Sequence, residues 1–391
     1  MHAAPRRVPL FVFTGLMILA SAVGTDDVRA EDQGKTTKLH KLFKAAWETD
    51  LREEPDYAST LGDRRWNDSW PDVSLAAHAR RHKQNLQTLQ AAEQFDPSEL
   101  SSFNRLNLDL FQREYRKRVE QHAFRWRFVP LTQRGGIQTA DELADRLRFE
   151  TVKDYEDWIV RLERFPAYLG QTEALMREGI KLGMAHPKII MDRVPDQIRS
   201  QITDDPQKSL FYRPLKTFPA GVSPAEQERL KQLAQKAIKE KIVPAYRNFL
   251  KFFTESYLPA CHDRVGCWQM PQGREMYAAR ARWFTTTDLT PKEIHELGLK
   301  EVKRIRVEMA QVMEKIGYQG SFDEFLVHLR TDPKFYYKEP RQLLNAYRAL
   351  SKRIDPTMVK LFKTMPRMPY GVQRIPANVA PDTTTAYYVS P

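Results

Sequence analysis

Between Thr290 and Ile316 the chain spells one long amphipathic helix. Thr290 carries the short oxygen-bearing side chain of an N-cap, and Pro291 suits the first helical position, where its missing N–H would have no partner anyway. Glu293 stands where its carboxylate can reach back to the cap amide. Ile294, Leu297, Val302, Ile305, Met309, Val312 and Ile316 then recur at helical spacing and give one apolar stripe. A stripe of that length needs other helices over it, so a helix-on-helix body is the fold it asks for.

The same grammar recurs upstream. Leu39, Leu42, Phe43 and Ala46 start a first helix that should stop near Pro55. Asp96-Pro97-Ser98-Glu99 reads as a cap box opening a helix with Phe103, Leu106 and Leu110 on one face. Thr151 with Asp154 caps another, whose Tyr155, Trp158, Ile159 and Leu162 form a stripe before Pro166 bends or ends it. Ser223-Pro224-Ala225-Glu226 starts a fourth, with Leu230, Leu233, Ala234, Ala237 and Ile238 in register. Strand signals are scarce, the best being Tyr370 to Ile375 and then Thr383 to Val389. Residues 126–138, 188–219 and 356–391 read as irregular, and Gly135-Gly136 suits a turn or a close backbone approach. The expected fold is therefore all-α, mostly long amphipathic helices, with a small β element near the C-terminus. At 391 residues the chain can bury a large core.

The first thirty residues read as a signal peptide rather than as fold. Arg6 and Arg7 supply a positive start, Val8 to Ala20 an apolar run, and cleavage fits after Ala22 or after Ala30. The run is short for a transmembrane span and charges follow it, so no anchor is expected after cleavage. Residues 31–391 then form one exported helical domain, periplasmic or secreted. In an oxidising compartment Cys261 and Cys267, with five residues between them, are expected to close a small disulfide ring. The net charge is +12, or +11 without the leader's three arginines and two aspartates. The basic residues alternate with acids along helices and no nucleic-acid-binding signature accompanies them, so no specific nucleic-acid partner is expected.

Two histidine patterns invite a metal reading and neither supports it. His295-Glu296 looks like the start of a zinc-binding helix, but the second ligand must follow four residues after the first, and Leu299 stands there. His78 and His82 have the spacing, yet Arg80 and Arg81 lie between them, no Glu base accompanies them, and cations repel a dication. A solvated helix face is the expectation for that pair. No metal ligand set and no catalytic residue can be assigned.

Gly273, Tyr277, Thr286 to Ile294, His295 and Leu297 to Leu299 resemble the central motif of a bacterial family catalogued as domain of unknown function 885. Pro55 to Gly62 (PDYASTLG), Phe149 to Gly183 with Gly179 and Gly183, and Leu361 to Pro376 (LFKTMPRMPYGVQRIP) resemble further segments of that family, in order along the chain. The resemblance implies a secreted, gluzincin-like helical body that hydrolyses peptides, with zinc held by a His-Glu-x-x-His type helix. That helix does not occur in these 391 residues. The chain thus reads as the N-terminal and central portion of such a metallopeptidase-like protein, an incomplete body without catalytic activity of its own. Zinc and a peptide substrate are expected of the intact form. Arg374, Tyr387 and Tyr388 are the candidates for its substrate cleft, where an extended segment could pair with a peptide backbone. The alternative is a non-catalytic exported scaffold that binds a peptide or an envelope partner.

Overall fold

The computed structural model describes residues 30–375 with Ala386 and Tyr388, and side chains from Thr36 onward. The leader segment and most of 383–389 lie outside the described residues. The chain divides into two units, one reaching Pro291 and the other starting at Lys292.

The first unit contains α1 (Ala30–Glu53), α2 (Pro55–Thr60), α3 (Leu75–Glu93), α4 (Ser102–Ala123) and α5 (Val152–Lys181). The short α6 (Lys188–Met191) and α7 (Val194–Arg199) follow, then α8 (Pro224–Ala237), α9 (Val243–Phe252) and α10 (Gly273–Thr285). The second unit holds α11 (Pro291–Lys315), whose first residue marks the boundary, α12 (Phe322–Thr331) and α13 (Pro340–Leu361). Sheet structure among the described residues amounts to two isolated bridges, Thr132 with Gly135 and Pro187 with His262. The chain is all-α.

The centre of the first unit is α5. Thr151 accepts from the Asp154 amide, while the Asp154 carboxylate takes the Thr151 amide at 2.8 Å, so the cap box forms in both directions. Tyr155, Trp158, Ile159 and Leu162 are all buried, as their spacing requires. Pro166 neither ends nor replaces the helix, which runs on to Lys181. Phe165, Leu169, Leu175 and Met176 are buried on either side of that proline. Burial of such side chains contributes ~1.5–3 kcal/mol each, enough to offset one lost helical hydrogen bond. Phe165 packs against Tyr246 of α9 with ring centres 5.1 Å apart, and the Trp158 indole donates to the Phe211 carbonyl at 3.1 Å. The Tyr246 hydroxyl donates to the Ile137 carbonyl at 2.7 Å.

Two features of this unit depart from the sequence reading. Asp96 caps only a single 3-10 turn, Pro97–Glu99, and α4 starts later behind Ser101. That shift moves the buried face of α4 to Asn104, Leu108 and Tyr115, leaving Phe103 and Leu106 exposed. The stretch 188–219, expected to be irregular, contains α6, α7 and two 3-10 turns. Their Val194, Ile198, Phe211 and Leu215 are fully buried in the main core, so tertiary burial rather than a long periodic run holds these short helices. The Gly135-Gly136 turn is as read: Thr132 and Gly135 exchange backbone hydrogen bonds at 2.9 and 3.1 Å. At Gly136 φ is +149° and a Cβ would fall 2.3 Å from that of Leu131, so only glycine fits.

In the second unit Pro356 lies inside α13 rather than starting an irregular tail. Residues 370–375 form no strand. Their backbone has no partner strand among the described residues; instead the Tyr370 hydroxyl reaches Asp355 at 2.9 Å, and Arg348 donates to the Val372 carbonyl at 3.3 Å. Side chains of α13 fasten this segment, which is why its alternating pattern gives no sheet.

Candidate functional site

The most conspicuous chemical surface is the apolar face of the second unit. On α11, Leu297, Val302, Ile305, Met309 and Val312 are 40–58% exposed, as is Ile316 just past its end at 60%, and Met313 alone is buried. The polar side of the helix is tied by Arg304, which pairs with Glu301 at 2.8 Å and Glu308 at 2.5 Å. On α13, Leu343, Tyr347, Leu350 and Ile354 repeat the pattern at 43–44% exposure. A small aromatic group closes the α11–α12 turn, with Tyr318 4.8 Å from Phe325 and 5.4 Å from His328 between ring centres. Apolar surface at helical spacing on both long helices is what a helix-packing interface presents.

Of the residues singled out for a cleft, Arg374 and Tyr388 are among those described. Arg374 is exposed on the irregular segment after α13, and Tyr388 is 80% exposed. Tyr387 lies outside the described residues. The cysteine expectation is corrected: both thiols are free. Cys261 belongs to the main core and donates to the Tyr257 carbonyl at 3.4 Å. Cys267 packs against a separate cluster around Phe128, Met270 and Met276 and donates to the Gly273 carbonyl at 3.5 Å. Each sulfur is thus turned into its own pocket of the fold. Burial raises both thiol pKa values, that of Cys261 to about 12, which keeps them protonated and unreactive. Gly273, shared with the family motif, is required by this packing, since a Cβ there would fall 2.0 Å from the Cys267 carbonyl oxygen.

His295 and Leu299 are both exposed on α11. The His78–His82 pair is not on a solvated face: both rings are half-buried, and His82 stacks on His122 of α4 with ring centres 3.8 Å apart. No local pattern announces His122, because its partner is on another helix. The same holds for Arg161, fully buried on α5, which donates to the Ser59 hydroxyl at 3.0 Å and the Trp66 carbonyl at 2.8 Å. Burial lowers its pKa to about 10 against the pull of Asp56, Asp68 and Asp157. Among the described residues no three His, Cys, Asp or Glu side chains gather where they could share a metal ion.

A family model described as "Bacterial protein of unknown function (DUF885)" matches residues 55–391. The chain belongs to this family. No functionally curated protein matches it. Among solved structures, a protein of Colwellia psychrerythraea described, provisionally, as a lipoprotein has the same fold, with a TM-score of 0.79 at 17% identity. The likeness covers 91% of this chain and 65% of that one, so the DUF885 chain spans somewhat less than two thirds of its neighbour's length. At this identity the likeness shows the fold alone. Among the described residues no helix is long and apolar enough to cross a membrane.

Proposed function

We propose that this chain is the helical scaffold of an exported, peptidase-like DUF885 protein, and that its α11–α13 face receives the polypeptide that completes the catalytic body. The observation that carries this reading is the uncovered stripe from Leu297 to Ile316, matched by Leu343 to Ile354 on α13. Apolar faces of this breadth mark interaction surfaces more often than finished exteriors. The greater length of the fold neighbour supports a larger complete body. Peptide hydrolysis and zinc dependence come from the family resemblance, and the metal helix they need is not spelled in these 391 residues.

The test is metal content and turnover of the purified 391-residue protein. After equilibration with zinc and gel filtration, elemental analysis should find well under one zinc per chain, and fluorogenic oligopeptides should remain uncut. Stoichiometric zinc with chelator-sensitive cleavage would overthrow the scaffold reading. The rival, a non-catalytic peptide- or envelope-binding scaffold, rests on the same face. It predicts that no added polypeptide confers metal-dependent cleavage, whereas the peptidase reading predicts that the completing segment does.

A further inference from the structure

Helices α3 and α4 form an antiparallel hairpin whose two ends differ in chemistry. At one end Ala92 and Leu108 pack with Leu39 and Phe43 of α1 in an apolar cluster. At the other, the His82 and His122 rings lie face to face, 3.8 Å apart and 10° from parallel, with His78 one turn along α3. The His82 Nδ1 is buried without a hydrogen-bond partner. Two neutral imidazoles can stack in this way; two imidazolium rings at that separation repel.

We propose that the stacked His82–His122 pair, with His78 beside it, is an acid-sensitive latch on the α3–α4 hairpin. The surrounding charges favour the neutral, closed form. Arg81 shares α3 with two of the histidines, and Arg127, just beyond α4, donates to the His122 carbonyl at 3.0 Å. Arg125 adds a further positive charge near Arg127. Nearby carboxylates are already engaged. Glu53 of α1 accepts from Arg80 at 2.8 Å and Arg81 at 3.2 Å, and Glu120 of α4 accepts from Arg282 and Trp283 of α10. Asp72 accepts from the Ser74 amide at 3.0 Å and is the one acid that favours a charged His78. Burial first, then these cations and the neighbouring imidazoles, lower the His78 and His122 pKa values to about 4.

The direction of the pH effect follows. A histidine in the opened hairpin titrates near its ordinary value of ~6.5, so between there and about 4 the open form takes up protons that the closed form refuses. The latch is at full strength above that window and weakens as pH falls through it. Hydrogen exchange on the full chain, corrected for intrinsic rates, tests this. From pH 7 to pH 4.5 the protection of 75–93 and 102–123 should fall about tenfold or more while that of α5 holds. The double variant H82F/H122F keeps flat rings in contact but cannot gain a proton there, so its pH dependence should shrink to the part that His78 contributes. If the double variant unfolds, H78Q serves instead: it leaves the stack in place and should reduce the pH dependence. The proposal is overturned if protection falls equally in α5, if the folded variants retain the wild-type pH dependence, or if NMR titration of His122 in the closed hairpin gives an ordinary midpoint.

Discussion

The two units are written in one sequence language and reach opposite states of burial. In the first, the stripe of α5 is buried almost to the last atom, with Trp158, Leu162 and Phe165 at 0–1% exposure. In the second, the equally regular stripe of α11 leaves every member but Met313 and Ile294 plainly exposed among its large apolar side chains. Periodicity dictates which face of a helix is apolar; it does not supply the surface that covers it. A helix-forming pattern and a packed core are separate properties, and only the first unit shows both.

The sharpest way to break this contrast is a pair of truncations. Phe165→Ala should cost ~3–5 kcal/mol, through lost burial and the cavity left among Tyr246, Phe211 and Trp70. Ile305→Ala, on a surface with nothing over it, should change stability by less than ~1 kcal/mol. All seven tryptophans precede Pro291, so urea unfolding followed by indole fluorescence reads the first unit, and amide exchange across 291–315 reads the second. Comparable losses at the two positions would mean that the α11 face is covered in solution. A milder probe places charges on that face. Leu297→Glu with Val302→Lys and Ile305→Glu should lower binding of a hydrophobic dye and reduce self-association, while the fluorescence-monitored midpoint stays within ~0.5 kcal/mol. Collapse of the midpoint would show that the stripe is already a structural contact.

Long periodic runs with a cap were readable from the residues: the start of α5 at Thr151, the stop of α1 before Pro55, and the opening of α11 at Pro291. These signals are local, because a hydroxyl, a carboxylate three residues on and a 3.6-residue repeat all act within one turn. What escaped was decided by distant partners. Ser101 outcompeted Asp96 as the cap of α4 because Leu108 and Asn104, rather than Phe103, face α1 and its neighbours. The strand read at 370–375 fails because Asp355 and Arg348 of α13 hold that segment instead of a second strand. Cys261 and Cys267 are near in sequence but belong to different clusters, which spacing alone cannot reveal. Of the candidate cleft, Arg374 and Tyr388 are exposed, and a family motif gives their order without their environment.

The smallest expected effect contrasts two helix caps of the same kind. The Thr151–Asp154 box has its carboxylate buried and reinforced, since Arg64 pairs with Asp154 at 3.2 Å and the Glu150 amide also donates to it at 3.1 Å. The Ser321–Glu324 box of α12 has equal geometry, with the Ser321 amide on the Glu324 carboxylate at 2.7 Å, but is exposed. Thr151→Ala should cost ~1–2 kcal/mol in the fluorescence-monitored transition, because it leaves the buried Asp154 carboxylate and the Asp154 amide each short of a partner. Ser321→Ala should leave that transition unmoved and only increase amide exchange in the first turn of α12. The Ser321 amide and hydroxyl hold the Glu324 carboxyl below its ordinary 4.5, so this box contributes fully above that value and is lost as pH falls through the lowered one. Exchange at the start of α12, corrected for intrinsic rates and compared at pH 6 and pH 3, should therefore rise in the wild type and rise much less in Glu324→Gln, which has no carboxylate to protonate. An equal response in both proteins would mean that solvent, not the box, sets the stability of that exposed turn.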